Sequence, residues 1–188
     1  GSGSWRPVFY GRTYGWTPAQ FAPISGVANL IIAPLALIAG AWMTERLLRA
    51  GRHDANMRLV LWTHIVGLPL AVFGPLMPNF WLALALSLGS QAAVIAASPA
   101  LLAAMQIVTP NELRGQVNAL YMLTVSVLGQ GIGPTVVALM TDYLFQSEGD
   151  LRYAMVAIAA IANPIALWLI WKSVRPYGQA YRESEAGA

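Results

Sequence analysis

Three groups of uncharged polar side chains recur at helical spacing inside long apolar stretches of the chain. They are Ser25 with Asn29, Ser87 with Gln91 and Ser98, and Ser126 with Gln130. Neighbours within each group are four or seven residues apart, so each group lies on one face of a helix. Hydroxyl and amide groups in such a setting can bind a polar solute. They can also join helices by hydrogen bonds worth about 0.6–2 kcal/mol each, and the spacing leaves both interpretations open.

Groups that could catalyse a reaction are sparse. His64 is the one titratable side chain between Arg58 and Glu112, and Ser90 follows Gly89 without the rest of a serine-hydrolase elbow. A nucleophilic mechanism needs a base and an orienting group within reach of the nucleophile. The chain contains no cysteine that could supply a thiolate ligand to a metal. We therefore predict no catalytic residue, no metal site and no cofactor, and we expect His64 to serve in packing rather than in a proton relay.

Long uncharged stretches define the elements that must position these side chains. Nineteen uncharged residues separate Arg152 from Lys172, and roughly 20 apolar residues in a helix cross a bilayer core of about 30 Å. The chain is 57% hydrophobic and 10% charged, against about 25% charged in soluble domains. The pattern predicts an all-α membrane protein, a transmembrane helix bundle embedded in the lipid bilayer. Its five full spans are expected near 18–44, 59–77, 80–107, 116–141 and 153–171, followed by a short solvated tail over 176–188.

The distribution of basic residues predicts the orientation in the membrane. When the spans alternate in direction, eight of the eleven Lys and Arg residues fall on one side. These eight are Arg46, Arg49, Arg52, Arg58, Arg114, Lys172, Arg175 and Arg182. The other side keeps Arg6, Arg12 and Arg152. The positive-inside rule makes the richer side cytoplasmic, so the amino end is expected to be periplasmic and the carboxyl end cytoplasmic. Because the cations lie at span ends and form no basic face, we exclude nucleic acid as a partner.

Two of the predicted cytoplasmic loops resemble loops of major facilitator superfamily transporters. The first contains Gly40, Glu45, Arg46, Arg49 and Arg52 and is similar to the loop between the second and third helices of each half, although the family usually has Asp where this chain has Glu45. The second contains Pro110, Glu112 and Arg114 and resembles the loop joining the fourth and fifth helices of the carboxyl half. The segment 5–16 is similar to the outer end of the seventh helix, especially in spinster-like bacterial members.

This resemblance implies a secondary transporter of the bacterial inner membrane that moves a small organic solute or amphiphile by alternating access. The five spans would be helices 8 to 12 of twelve, and 1–175 would be a carboxyl-terminal half-domain whose partner is the amino half. In the family, helices 8, 10 and 11 line the central cavity while helices 9 and 12 are peripheral, which favours Asn29, Gln91 and Gln130 as cavity residues. No acidic residue lies within the spans. If transport is proton symport, the coupling carboxylate is therefore expected in the amino half, and the sequence leaves the coupling ion open.

The first loop has two interpretations. In the superfamily this loop latches the cytoplasmic gate in one access state, which would give Glu45 and its arginines that role; otherwise the arginines only set the topology. A different class of function is also open, in which the chain is a structural or assembly membrane subunit that needs a separate amino half.

Overall fold

A computed structural model of the chain describes residues 5–139 and 151–186. Within these ranges the chain forms seven α-helices and no β-strand. The helices are α1 (Arg6–Tyr14), α2 (Pro18–Arg49), α3 (Ala55–Phe73), α4 (Phe80–Ile107), α5 (Arg114–Thr124), α6 (Gly133–Leu139) and α7 (Leu151–Ala186). A 3₁₀ turn, Gly74–Leu76, extends α3, and another, Asn111–Leu113, precedes α5. A π-helical segment, Val125–Ile132, joins α5 to α6.

The all-α fold with five apolar spans is confirmed. Five helical stretches of the described chain are long and apolar enough to cross a membrane: Pro18–Arg49, Ala55–Leu76, Phe80–Ile107, Asn111–Val136 and Leu151–Arg182. The third has the bounds expected from the sequence. Their large apolar side chains face outward in many places, as with Leu30, which is 76% exposed. Outward apolar surface of this kind is what a bilayer solvates.

Local signals fix where two of the central helices begin. Gln20 accepts hydrogen bonds through its Oε1 from the backbone N–H of Thr17, at 3.0 Å, and from the Thr17 hydroxyl, at 3.1 Å. At the start of α4, Asn79 Oδ1 accepts from the backbone N–H groups of Trp81 and Leu82 at 2.8 and 3.3 Å. These bonds satisfy backbone groups that have no partner within the helix, which explains why both helices begin close to their predicted positions.

Helix α4 lies at the centre of the bundle, between α2 and α3, and α7 packs on the far side of α3. The α2–α4 crossing is close: a Cβ atom on Gly40 would lie 2.9 Å from the carbonyl carbon of Ala96. The neighbouring α3–α4 contact is also tight, because a Cβ atom added to Gly67 would lie 3.3 Å from the Cβ of Ala93. Small residues therefore set the distances between the central helices, as is common in membrane bundles.

One end of the bundle is closed by aromatic side chains. The rings of Trp16 and Phe80 stack with centroids 3.9 Å apart, and those of Tyr10 and Phe21 stack at 4.6 Å. Leu151, at the start of α7, is buried in the same cluster. This end therefore collects the start of α2, the start of α4 and the start of α7, which is the predicted outer end.

At the other end of the bundle, the segment after residue 176 differs from its prediction. The expected solvated tail after residue 176 is instead a continuation of α7 to Ala186. The side chain of Tyr177 is 5% exposed, and its hydroxyl accepts a hydrogen bond from Asn56 Nδ2 at 2.9 Å. The last turns of α7 pack against the bundle because the start of α3 buries Tyr177 and donates a hydrogen bond to its hydroxyl.

Candidate functional site

A cavity of about 600 Å³ lies among α1, α3, α4 and α7. Apolar side chains form much of its wall, including Phe9, Met155 and Ile158. Among the described lining residues, five have polar side chains: Arg6, Ser87, Ser90, Gln91 and Asn163. Binding sites for small molecules are commonly apolar cavities that contain a few convergent polar groups, so this cavity is the candidate site.

A chain of hydrogen bonds runs along one wall and joins three helices. Arg6 Nη1 donates to Gln91 Oε1, and Gln91 Nε2 donates to Asn29 Oδ1 at 2.6 Å. Asn29 Nδ2 in turn donates to the backbone carbonyl of Ser25 at 2.9 Å. Arginine can only donate, so the amide oxygen of Gln91 must face it, and the whole chain then has one direction from Arg6 to α2.

The hydrogen-bonded wall of Arg6, Gln91 and Asn29 lies deep in the bundle, where the positive charge of Arg6 is costly to bury. Helix α4 has 28 residues, and Gln91 lies about 17 Å along it at 1.5 Å per residue, near the middle of the span. A cation at that depth is costly and is usually paired or functional. Among the described residues Arg6 forms no ion pair, and its hydrogen-bond partner is a neutral amide. The arrangement is therefore suited to receive an anionic group.

The structure brings some of the predicted residues together and separates others. Gln91 lines the cavity and is bonded to Asn29, which lies behind that wall. The hydroxyls of Ser25 and Ser98 donate to carbonyl groups of their own helices, at 3.1 and 2.7 Å. Whether any of these side chains contacts a solute stays a prediction.

The sequence predicts that Gln130 lines one cavity with Asn29 and Gln91. In the structure Gln130 does not share a concave surface with them. Both Gln130 and Ser126 are exposed on the π-helical segment. Of the described residues in the predicted span 116–141, which end at 139, Gly133 alone lines the cavity. The expected peripheral position of the helices now labelled α3 and α7 also needs correction, because both line this cavity. The physical reason is that α7 packs closely on α3, whereas no described residue between 111 and 136 is buried.

The sequence pattern does not identify two of the cavity residues. Arg6 lies near a span end, where a cation normally sets topology, and Asn163 belongs to a helix expected to be peripheral. One signal was available: Arg6, Tyr10 and Tyr14 are four residues apart and therefore share a helical face. Tyr10 is buried on that face and donates from its hydroxyl to Ser87 Oγ at 3.1 Å.

His64 is not among the described residues that line the cavity. Its Nδ1 is 2.8 Å from the backbone carbonyl of Val60, one turn earlier in α3, which suits a packing histidine. The described residues contain no group of three or more His, Cys, Asp or Glu side chains that could hold a metal ion.

Three residues of the predicted gate loop, Glu45, Arg46 and Arg49, form their contacts within α2. Arg49 Nη2 and Glu45 Oε1 are 2.6 Å apart, four residues along the same helix, and both side chains are more than half exposed. The guanidinium of Arg46 lies over the ring of Trp42 at 4.5 Å. Such exposed pairs contribute about 0–1 kcal/mol, so the ion pair alone is too weak to hold a gate closed.

In the second loop, Arg114 closes the end of α4. Its Nε donates to the backbone carbonyls of Gln106 and Thr109 at 3.0 and 3.2 Å. A cation at a helix carboxyl end also interacts favourably with the helix dipole. Pro110 and Glu112 flank this cap, at the start of the 3₁₀ turn and within it, and the cap fixes the connection from α4 to α5.

Comparison with known proteins agrees with this architecture. The family model described as Major Facilitator Superfamily matches residues 1–134, a range that contains α1 to α5, both loops and all the cavity-lining residues of α1, α3 and α4. The searches of curated proteins and of solved structures gave no match. The family match covers well over half of the chain and accords with the five apolar helices. The chain therefore belongs to the major facilitator superfamily of membrane transporters.

Proposed function

We propose that this chain is the carboxyl-terminal half of a secondary transporter that moves a small organic anion or anionic amphiphile by alternating access. The observation that carries the proposal is Arg6, held by Gln91 at mid-depth in the bundle and facing a cavity of about 600 Å³. Transporter substrates bind near the bilayer midplane. The resemblance to spinster-like members, which implies lipid-like or organic-anion cargo, is consistent with this choice.

The chemistry of the cavity supports an anionic and partly apolar solute. A guanidinium presents a planar set of donors that matches a carboxylate or phosphate. Ser87, Ser90 and Asn163 add neutral hydrogen-bonding groups around the same space, while Phe9 and Met155 offer apolar contact to a hydrocarbon portion. A neutral solute would leave the charge of Arg6 uncompensated, which is unfavourable in a desolvated site.

The amino half is the proposed macromolecular partner. The stretch from α5 to α6 contacts its own half only sparsely and exposes Ser126 and Gln130, so we propose that this face meets the amino half around a shared solute pathway. The gate-latch role of Glu45, Arg46, Arg49 and Arg52 remains part of this proposal. Because the Glu45–Arg49 pair lies within one helix, the latch would need its opposing group from the amino half.

The test uses the complete transporter reconstituted in proteoliposomes. Uptake is measured for a panel of labelled probes: medium-chain carboxylates, lysophosphatidylglycerol, and neutral analogues of matching length. We expect uptake of an anionic probe and not of its neutral analogue. Arg6→Gln should reduce that uptake at least about tenfold, because hydrogen bonds to charged groups contribute about 1.5–3 kcal/mol, and Arg6→Lys should fall between the two.

Arg12→Gln is the matched control, since it removes one positive charge from the exposed side of the same helix. It should retain uptake within about twofold, as expected for a substitution at an exposed position. Equal uptake of the anionic probe by wild type and Arg6→Gln would contradict the anionic assignment. A wild-type protein that moves no probe, yet binds a separately expressed amino half, would favour the alternative function as an assembly subunit.

A further inference from the structure

We propose that the inner end of the bundle contains a binding site for the phosphate headgroup of an anionic phospholipid. The site is a pocket of about 430 Å³ between the α2–α3 loop and the last turns of α7. We call it the basic pocket and define it by Arg52, Arg58, Arg175 and Arg182, with Asp54 among them.

The basic pocket exists because α7 extends beyond its apolar span. The buried Tyr177 and its hydrogen bond from Asn56 hold the last turns of α7 against the start of α3. Gly178 lies at this contact, where an added Cβ atom would be 3.4 Å from the Cβ of Asp54, an ordinary van der Waals distance. Arg175 and Arg182 are thereby brought beside residues of the α2–α3 loop that are more than a hundred positions away in the chain.

The charges of the basic pocket are unbalanced. Four guanidinium groups line it, and Asp54 is the sole carboxylate among its described lining residues. That carboxylate is already engaged, with Asp54 Oδ2 2.7 Å from Arg58 Nε. Arg182 Nε donates to the carbonyl of Gly178 at 3.2 Å, which orients the side chain and leaves its terminal nitrogens to bind. The pocket therefore carries excess positive charge and unused donors suited to phosphate oxygens.

The surroundings of the basic pocket favour a lipid headgroup over a soluble anion. The pocket lies at the predicted cytoplasmic end, where anionic lipids attract basic groups beside transmembrane helices. One turn or two earlier in α7, Lys172 Nζ lies 4.1 Å from the ring centroid of Trp168, a pairing typical of the membrane interface. Trp168 and Trp171 are both more than half exposed, so the same helix offers apolar surface to acyl chains.

The experiment measures lipid binding to the complete transporter, delipidated in detergent, by native mass spectrometry. The probes are dioleoylphosphatidylglycerol and dioleoylphosphatidylcholine, which differ in headgroup charge, with glycerol 3-phosphate and inorganic phosphate as soluble competitors. We expect phosphatidylglycerol to bind at least about tenfold more tightly than phosphatidylcholine. Arg175→Gln combined with Arg182→Gln should remove most of that preference.

Two further variants make the result specific to the basic pocket. Arg46→Gln with Arg49→Gln removes the same charge from the same end of the bundle, outside the pocket, and should change the preference by less than about twofold. Asp54→Asn should strengthen phosphatidylglycerol binding several-fold, because it removes the carboxylate that faces the anion. A gain of affinity cannot arise from misfolding, so this variant remains informative if the double variant is unstable.

Three outcomes would overturn the proposal. The first is equal affinity for the two lipids in the wild-type protein. The second is an unchanged preference for phosphatidylglycerol in the Arg175→Gln, Arg182→Gln variant together with no gain in Asp54→Asn. The third is displacement of the lipid by inorganic phosphate or glycerol 3-phosphate at equal concentration, which would make the basic pocket a site for soluble phosphate.

Discussion

At the scale of single residues, Gln91 has an unusual position because one side chain joins three helices. It accepts from Arg6 of α1 and donates to Asn29 of α2 at 2.6 Å while belonging to α4. Hydrogen bonds between membrane helices are worth about 0.6 kcal/mol on average and up to about 2 kcal/mol. The amide therefore contributes modestly to stability, while it orients Arg6, the one cation among the described residues of the cavity wall.

A double-mutant cycle should measure the bond between Asn29 and Gln91. We expect Asn29→Ala, Gln91→Ala and the double variant to give a coupling free energy of about 0.5–2 kcal/mol, measured by titrating the purified transporter with dodecyl sulfate. The same cycle between Asn29 and Gln106, an exposed residue at the far end of α4, should give coupling within about 0.5 kcal/mol. Equal coupling in the two cycles would show that the Asn29–Gln91 bond does not stabilise the fold.

Part of this site could be predicted from the sequence. Helical spacing identified Asn29 and Gln91 as polar groups in apolar spans, and the structure joins them directly. It could not identify Arg6 as their partner, because a charge near a span end normally sets topology and only tertiary packing shows which arginine faces inward. Gln130 illustrates the opposite limit: its spacing resembled that of Gln91, yet the side chain is exposed.

At the scale of helices, the close crossing of α2 and α4 depends on the absence of a side chain at Gly40. The backbone of Ala96 occupies the space that a Cβ atom would need. Backbone atoms cannot rotate away as a flexible side chain does, so a larger residue must push the helices apart.

Gly40→Ala should therefore destabilise the transporter by about 1–3 kcal/mol, the usual cost of overpacking, in the same detergent titration. Gly26→Ala is the matched control in the same helix, since nothing lies within 4 Å of the added Cβ atom there. Alanine favours the helix over glycine by about 0.5–1 kcal/mol, so the control should be neutral or slightly stabilised. Equal destabilisation of both variants would show that the contact between Gly40 and Ala96 is not the cause of the effect.

The bounds of the helices were largely predictable, with one instructive exception. Charge-free runs and caps such as Asn79 mark the spans because hydrophobic length and backbone satisfaction are local properties of the chain. The extension of α7 was not predictable on that basis. Charged residues such as Arg182 suggest a solvated tail, whereas the helix continues because Tyr177 is covered by the distant Asn56.

At the scale of the whole molecule, the two ends of the bundle differ in chemistry. Aromatic rings close one end, around Phe80 and Trp16, and arginines collect at the other, around the basic pocket. The helices alternate in direction between these ends, which agrees with the alternation assumed in the charge argument. We propose that the arginine-rich end is cytoplasmic.

Labelling of single introduced cysteines should test this orientation, because this chain has no cysteine of its own. Thiols at Arg52 and Asn111 should react with an impermeant maleimide only in inverted vesicles. A thiol at Pro78 should react only in intact cells, and Pro78 is preferable to its neighbour Asn79, which caps α4. Reversed labelling would overturn the orientation, and labelling of one site from both sides would indicate mixed insertion.

The crossing at Gly40 also has a mechanical consequence, because it divides α2 unequally. At 1.5 Å per residue, about 33 Å of helix lies on the side of Pro18 and about 14 Å on the side of Arg49. Any tilt about this point works as a lever, and the arm that begins at Pro18 moves more than twice as far as the arm that ends at Arg49. Asn29 lies about 17 Å out along the long arm, so a tilt of about 10° would displace it by about 3 Å. That displacement would break its 2.6 Å bond to Gln91, and a small movement at the arginine-rich end would thus free the amide that holds Arg6.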